Sequence, residues 1–241
     1  MEHSVQLIVR PHRSSIHKYI QRMNYYVSLA FNLFIIIVAL LGWRRFTKIS
    51  PVFLPFLIFV WVGTINEIYS AIIVTLYRQN NIANYNIYIL FEPLLILWQF
   101  QRWNLFGTKY KIYWFLFFAF IGFWLLETIF HSKLYLDFNS YYQVFYSAVI
   151  VLMSISMLNQ ILMKERKSVL KSSIFIICCG FIISFTYTLS TQSFTVYRLQ
   201  MSESFIRNLF FIFTFINLFC NILYAIAILW MPRKQAFTLQ Y

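Results

Sequence analysis

Seven long apolar runs, separated by short polar connectors, account for most of this 241-residue chain. They cover residues 25–43, 51–77, 85–106, 112–130, 141–163, 169–191 and 207–231. A bilayer hydrocarbon core of ~30 Å needs about 20 helical residues, and each run is close to or beyond that length. The pattern predicts an all-α fold, a polytopic transmembrane bundle of seven helices. Pro51 opens the second run, where a missing backbone N–H is harmless. The connector 192–206 (QSFTVYRLQMSESFI) mixes polar and apolar positions and is expected to lie on the membrane surface. No internal repeat and no low-complexity segment interrupts the series.

Composition strengthens this reading. Apolar residues are 61% of the chain and charged residues 11%, against roughly 45–50% and 25% in soluble domains. The runs leave room for one transmembrane domain over 23–241, preceded by a basic extension at 1–22. The net charge of +13 is not read as a nucleic-acid signature, because the basic residues flank apolar spans and meet anionic headgroups there. Tyr25-Tyr26, Tyr110, Tyr113-Trp114 and Tyr141-Tyr142 fall at span ends, as an interfacial aromatic belt requires. Cys178, Cys179 and Cys220 all lie within spans; an odd number of intramembrane thiols is not a disulfide framework.

Charge placement predicts orientation. Twelve Lys and Arg residues follow spans one, three, five and seven, and four occupy the opposite connectors. The positive-inside rule then puts the N-terminus outside and the C-terminus in the cytoplasm of a multi-pass cell-membrane protein, with a bacterial inner membrane as the expected setting. Arg10, Arg13, Lys18 and Arg22 oppose this assignment. Either the native protein starts at Met23 and residues 1–22 are upstream sequence, or they form a basic arm on the headgroups.

Several chemistries are missing from the chain. Its His residues, at positions 3, 12, 17 and 131, form no cluster within a span, and the seventh span has no Lys for a retinal Schiff base. No G-x-x-x-x-G-K-[ST], H-E-x-x-H or G-x-S-x-G occurs. No catalytic residue, metal ligand set or cofactor is therefore predicted, and an enzyme is the less favoured reading.

What remains is polar chemistry inside the spans, where each ionisable group costs roughly 2.5–3.5 kcal/mol and usually faces protein or water. Glu67 shares a helical face with Gly63, Thr64, Ser70 and Ala71, a small-residue surface that lets a neighbour approach. Tyr85, Tyr88, Glu92 and Gln99 form a polar stripe on the third span, and Pro93 is expected to kink it by freeing the Ile89 carbonyl. Centring the spans on their apolar runs puts Glu67 and Glu92 at one level, where two carboxylates cannot both ionise cheaply. Glu127 is expected further toward the outer face, with His131 one turn beyond. Asn217 and Asn221 share a stripe of the seventh span with Thr214 and Tyr224, serving as interhelical glue or as ligand contacts. Gly180, Ser184 and Thr188 read as a packing seam on the sixth. The candidate ligand- or ion-binding residues are thus Glu67, Tyr88, Glu92, Gln99, Glu127, Asn217 and Asn221.

The stretches YNIYILFEPLLILWQF and FCNILYAIAILWMPRKQAFTL resemble a group of seven-helix bacterial integral membrane proteins. That resemblance implies a seven-span architecture and carries no activity or site residue. Three function classes follow from the residues. A binding or sensing module would hold a small molecule or cation in an outward-facing polar cavity and signal to a partner membrane or cytoplasmic protein. A proton- or cation-coupled transporter would use Glu67 and Glu92, and a membrane enzyme would act on a lipid.

Overall fold

The computed structural model describes residues 31, 33–77, 80–132, 134–135, 137–164, 171–196 and 203–232. The extension 1–22, Met23 and the connector residues 197–202 lie outside the described residues. Among the described residues the chain is wholly helical, with seven helices: α1 (Ile35–Arg45), α2 (Leu54–Ile72), α3 (Ile82–Arg102), α4 (Tyr110–Glu127), α5 (Ser140–Lys164), α6 (Ser173–Val196) and α7 (Glu203–Trp230). A short 3-10 turn, Pro51–Phe53, leads into α2, and wide π turns extend α2 to Tyr77 and α4 to Ser132. Five helical stretches are long and apolar enough to cross a membrane: Pro51–Tyr77, Tyr110–Phe130, Ser140–Met163, Ser173–Phe194 and Phe211–Trp230. This is a polytopic membrane bundle. The long helix α3 is too polar for that set, and its polarity builds the interior site.

Consecutive helices pack as neighbours, except that α3 also touches α5, and α1 closes the circuit by packing on both α2 and α7. Gly42 allows that closure, since a Cβ there would stand 3.1 Å from Leu57 Cδ2 and 3.7 Å from Ile228 Cδ1. Arg45 then donates to the carbonyls of Ile228 (2.7 Å) and Leu229 at the end of α7, where a cation also meets the negative helix terminus. Ser50 N–H donates to the Pro232 carbonyl at 3.0 Å, fixing the same corner. Arg44, Arg45, Lys48, Arg102, Lys109, Lys111 and Lys171 all lie on helix ends or connectors at this end of the bundle, called here the basic end.

An aromatic cluster fills the bundle toward the basic end. The Phe181 ring of α6 packs within 5.8–6.3 Å of Phe59, Tyr224, Phe185, Phe100 and Phe56. Edge-to-face pairs of this kind contribute about 0.5–1.5 kcal/mol each beyond area burial. Of the expected α6 seam, Gly180 makes a close packing contact: a Cβ there would stand 2.5 Å from Tyr224 Cε1, and Cys220 Sγ approaches the Gly180 carbonyl at 3.5 Å.

The element ends differ from the apolar runs in two places. The third run, 85–106, becomes a helix at Ile82–Arg102. Its end is set by Asn104, which adopts a left-handed φ of 61°. Leu105 N–H then bonds the Phe100 carbonyl (3.1 Å) and Asn104 N–H that of Gln101 (3.0 Å), the paired bonds of a Schellman stop. The described residues of the expected surface connector 192–206 are helical, because α6 continues to Val196 and α7 begins at Glu203.

Candidate functional site

Polar contacts between α2 and α3 fix their antiparallel register. Asn81 Nδ2 donates to Ser70 Oγ, and Asn84 Nδ2 to Asn66 Oδ1 at 2.8 Å. One turn deeper the Tyr88 hydroxyl stands 3.5 Å from where a Gly63 Cβ would be. The expected small-residue face of α2 is thus the surface on which α3 lies. These contacts put Glu67 level with Asn84, so Glu92 stands about eight residues deeper, ~12 Å at 1.5 Å per residue. The expectation that the two carboxylates share one level is therefore overturned. Its cause is that α2 overshoots: Ala71–Tyr77 stand beyond Asn81, while the apolar run placed α3 three to four residues too late.

Glu92 occupies the middle of α3, directly before buried Pro93, through which the helix continues without interruption. Its carboxyl joins two helices. Oε1 accepts the Tyr88 hydroxyl at 3.1 Å and Oε2 accepts the Tyr146 hydroxyl of α5 at 2.8 Å. Tyr142 and Tyr224 also lie within electrostatic reach of Glu92. Glu67 and Glu92 both act on Tyr85 and Tyr88. Side chains lean toward the N-terminus of their own helix, so the two carboxylates of this antiparallel pair lean toward the Tyr88 level from opposite directions.

The inward face of α5 completes the site. Gln143 and Ser147 flank Tyr146 on this face, both fully buried. The Gln143 Oε1 and the Ser147 hydroxyl have no hydrogen-bond partner, and the Gln143 amide N–H has only the loose approach of the Tyr85 hydroxyl. The Tyr142 hydroxyl is likewise buried and unpaired. Native interiors leave few such groups bare, because each costs about 1–3 kcal/mol when unsatisfied. Sequence reasoning missed Tyr146. Its signal was available as the aromatic position between Gln143 and Ser147 on one helical face.

Other predicted residues have structural partners. Gln99 is fully buried; its Oε1 accepts Phe56 N–H (2.7 Å) and its Nε2 donates to the Val52 carbonyl (2.9 Å). It therefore satisfies the first turn of α2, whose N–H groups have no intrahelical partner. Glu127, 7% exposed, accepts the N–H groups of Tyr141 (3.1 Å) and Tyr142 (2.5 Å), seating a carboxylate at the positive end of α5. Beside it Asn86, which the sequence did not single out, donates to the Leu134 and Asp137 carbonyls at 3.0 and 2.9 Å. Its Oδ1 accepts Asn139 N–H (3.2 Å), and its own carbonyl accepts Trp124 Nε1–H (2.8 Å). Together these contacts knot α3, α4 and α5 at the end opposite the basic one. On α7, Asn221 is buried with an unpaired Nδ2, and Asn217 is half-buried. The side chain of His131 lies outside the described residues.

Fold and site together define an integral membrane protein with a tyrosine-bonded carboxylate at the middle of its bundle. No protein family, curated protein or solved structure shows a significant match to this chain.

Proposed function

We propose that this protein is an integral membrane binding or sensing module for a small molecule or cation, with its site centred on Glu92. The observation that carries this reading is that Glu92 bonds Tyr146, on whose helix the fully buried Gln143 Oε1 and Ser147 Oγ have no hydrogen-bond partner. An occupant able to bond these groups would offset their desolvation. Asn221, one turn from Tyr224 on α7, offers a further donor. Gln99 and Glu127 serve the scaffold in this reading. A sensing role requires a partner membrane or cytoplasmic protein to receive the signal. The basic end is assigned to the cytoplasm, against anionic headgroups, and the Glu127 knot to the outer face of a multi-pass cell-membrane protein.

Native mass spectrometry of the protein in mild detergent tests the site. Wild type should retain a small-molecule adduct that Glu92→Gln loses. Equal retention by both proteins would remove Glu92 from the site.

A second reading, proton- or cation-coupled transport, is favoured by one observation. Glu67 lies on the α2–α3 seam in electrostatic reach of the tyrosine that bonds Glu92, and intramembrane carboxylates often mark ion pathways. Flux into liposomes that depends on both Glu67 and Glu92 would favour transport over binding alone.

A further inference from the structure

The ligand class can be drawn from the chemistry around Glu92. We infer that the site takes a monovalent organic ammonium ion, a protonated amine or a quaternary ammonium; this deepens the binding reading above and rests on it. Four observations converge. Among the described residues, the only side chains bonded to the Glu92 carboxyl are two neutral phenols. The described Lys and Arg residues lie at helix ends and in connectors, so among the described residues Glu92 has no cationic partner.

The register then limits the charge. The Glu67 residue stands ~12 Å away along the helix axis, and the carboxyl that the Tyr88 and Tyr146 hydroxyls bond is that of Glu92. The described residues hold no group of three or more His, Cys, Asp or Glu side chains able to grip a metal ion. A divalent cation such as Ca²⁺ takes 6–8 oxygen ligands, commonly from several carboxylates. One carboxyl is bonded into the site, which matches a monovalent ion.

The walls favour an organic cation over a bare alkali ion. Phenol rings reach Glu92 from α3 and α5: Tyr88 and Tyr146 by hydrogen bond, and Tyr85 by charge. Aromatic faces attract cations, and combinations of rings with a desolvated charge are a common way of holding alkylammonium groups. The unpartnered Gln143 Oε1 and Ser147 Oγ supply acceptors for ammonium N–H groups. The site thus offers a carboxyl, phenol rings beside it and two open acceptors, all within the bundle.

Isothermal titration of the full chain in nanodiscs with methylammonium, tetramethylammonium and phenethylammonium chlorides tests this, with NaCl, KCl and CaCl₂ run in parallel. At least one organic ammonium should bind, and Glu92→Gln should weaken it by about tenfold or more. Ser147→Ala, which removes only the hydroxyl, should weaken methylammonium or phenethylammonium more than tetramethylammonium, which has no N–H to donate. Binding of Na⁺, K⁺ or Ca²⁺ alone, still sensitive to Glu92→Gln, would overturn the organic class and leave the Glu92 site standing. Ammonium binding unchanged in both variants would overturn the proposal by placing the ion elsewhere. No binding by any of these salts, together with an adduct in native mass spectrometry that Glu92→Gln loses, would overturn the cation class while keeping the site. No salt binding and no such adduct would overturn both.

Discussion

Tyr146 donates its hydroxyl to Glu92 at 2.8 Å, joining α5 to the middle of α3. The bond lies inside the bundle, where exchange with water is restricted and hydrogen bonds are stronger than at a surface. Tyr146→Phe keeps the ring and removes the donor. A double-mutant cycle with Glu92→Gln, read from unfolding in detergent, should give a coupling of about 1–2 kcal/mol. A coupling near zero would mean that the pair contributes nothing as a unit.

Glu67 and Glu92 stand at different levels but share Tyr85 and Tyr88 as neighbours, so their neutralisation should couple weakly. Stability changes from Glu67→Gln and Glu92→Gln should depart from additivity by about 0.5–1 kcal/mol, the lower end of the range for sites with a shared partner. Strong non-additivity would show that the two groups interact directly, and the register drawn from Asn81, Asn84 and Tyr88 would have to be revised.

Gln99 and Glu127 separate scaffold from site. Gln99→Leu leaves the Phe56 N–H and the Val52 carbonyl without their partner and should cost about 2–4 kcal/mol of stability. Glu127→Ala removes two bonds to the start of α5 and should cost about 2–3 kcal/mol. Both variants, assayed below their unfolding temperature, should keep wild-type affinity for any ligand of the Glu92 site. Normal stability with lost binding would return either residue to the site.

Orientation is testable by fusion. A reporter active only in the cytoplasm should be active after Tyr241 and silent when inserted at Asp137. The reverse pattern would invert the bundle and turn the Glu127 knot inward.

The seven helices were legible because a bilayer demands long apolar runs with the charges left at their ends. Six of the seven runs coincide with helices to within about five residues; only the latter part of the first, from Ile35, is described as helix. The start and stop of α3 were harder to read. Hydropathy started the run after Asn84, which is helical and whose amide bonds Asn66 of α2. It also carried the run beyond Asn104, whose left-handed backbone ends the helix. Relative level was the larger miss. It depends on how far α2 overshoots α3, which no single helix's pattern contains. The polar stripe through Tyr88, Glu92 and Gln99 was visible, but its division of labour was not. Glu92 bonds side chains of the interior, whereas Gln99 bonds the backbone of α2.

The Arg45 clasp bears on the order of assembly. Its bond to the Ile228 carbonyl spans 183 positions of sequence, nearly the whole described chain. Spans enter a membrane in the order in which they are synthesised, so α1 and α2 must wait in the lipid until α7 arrives before the circuit can close. During that interval Gly42 and the end of α1 lack their final neighbour. Closure is thus a late, long-range step, the kind of contact that topology makes slow, and damage to the clasp should show first in the yield of assembled protein.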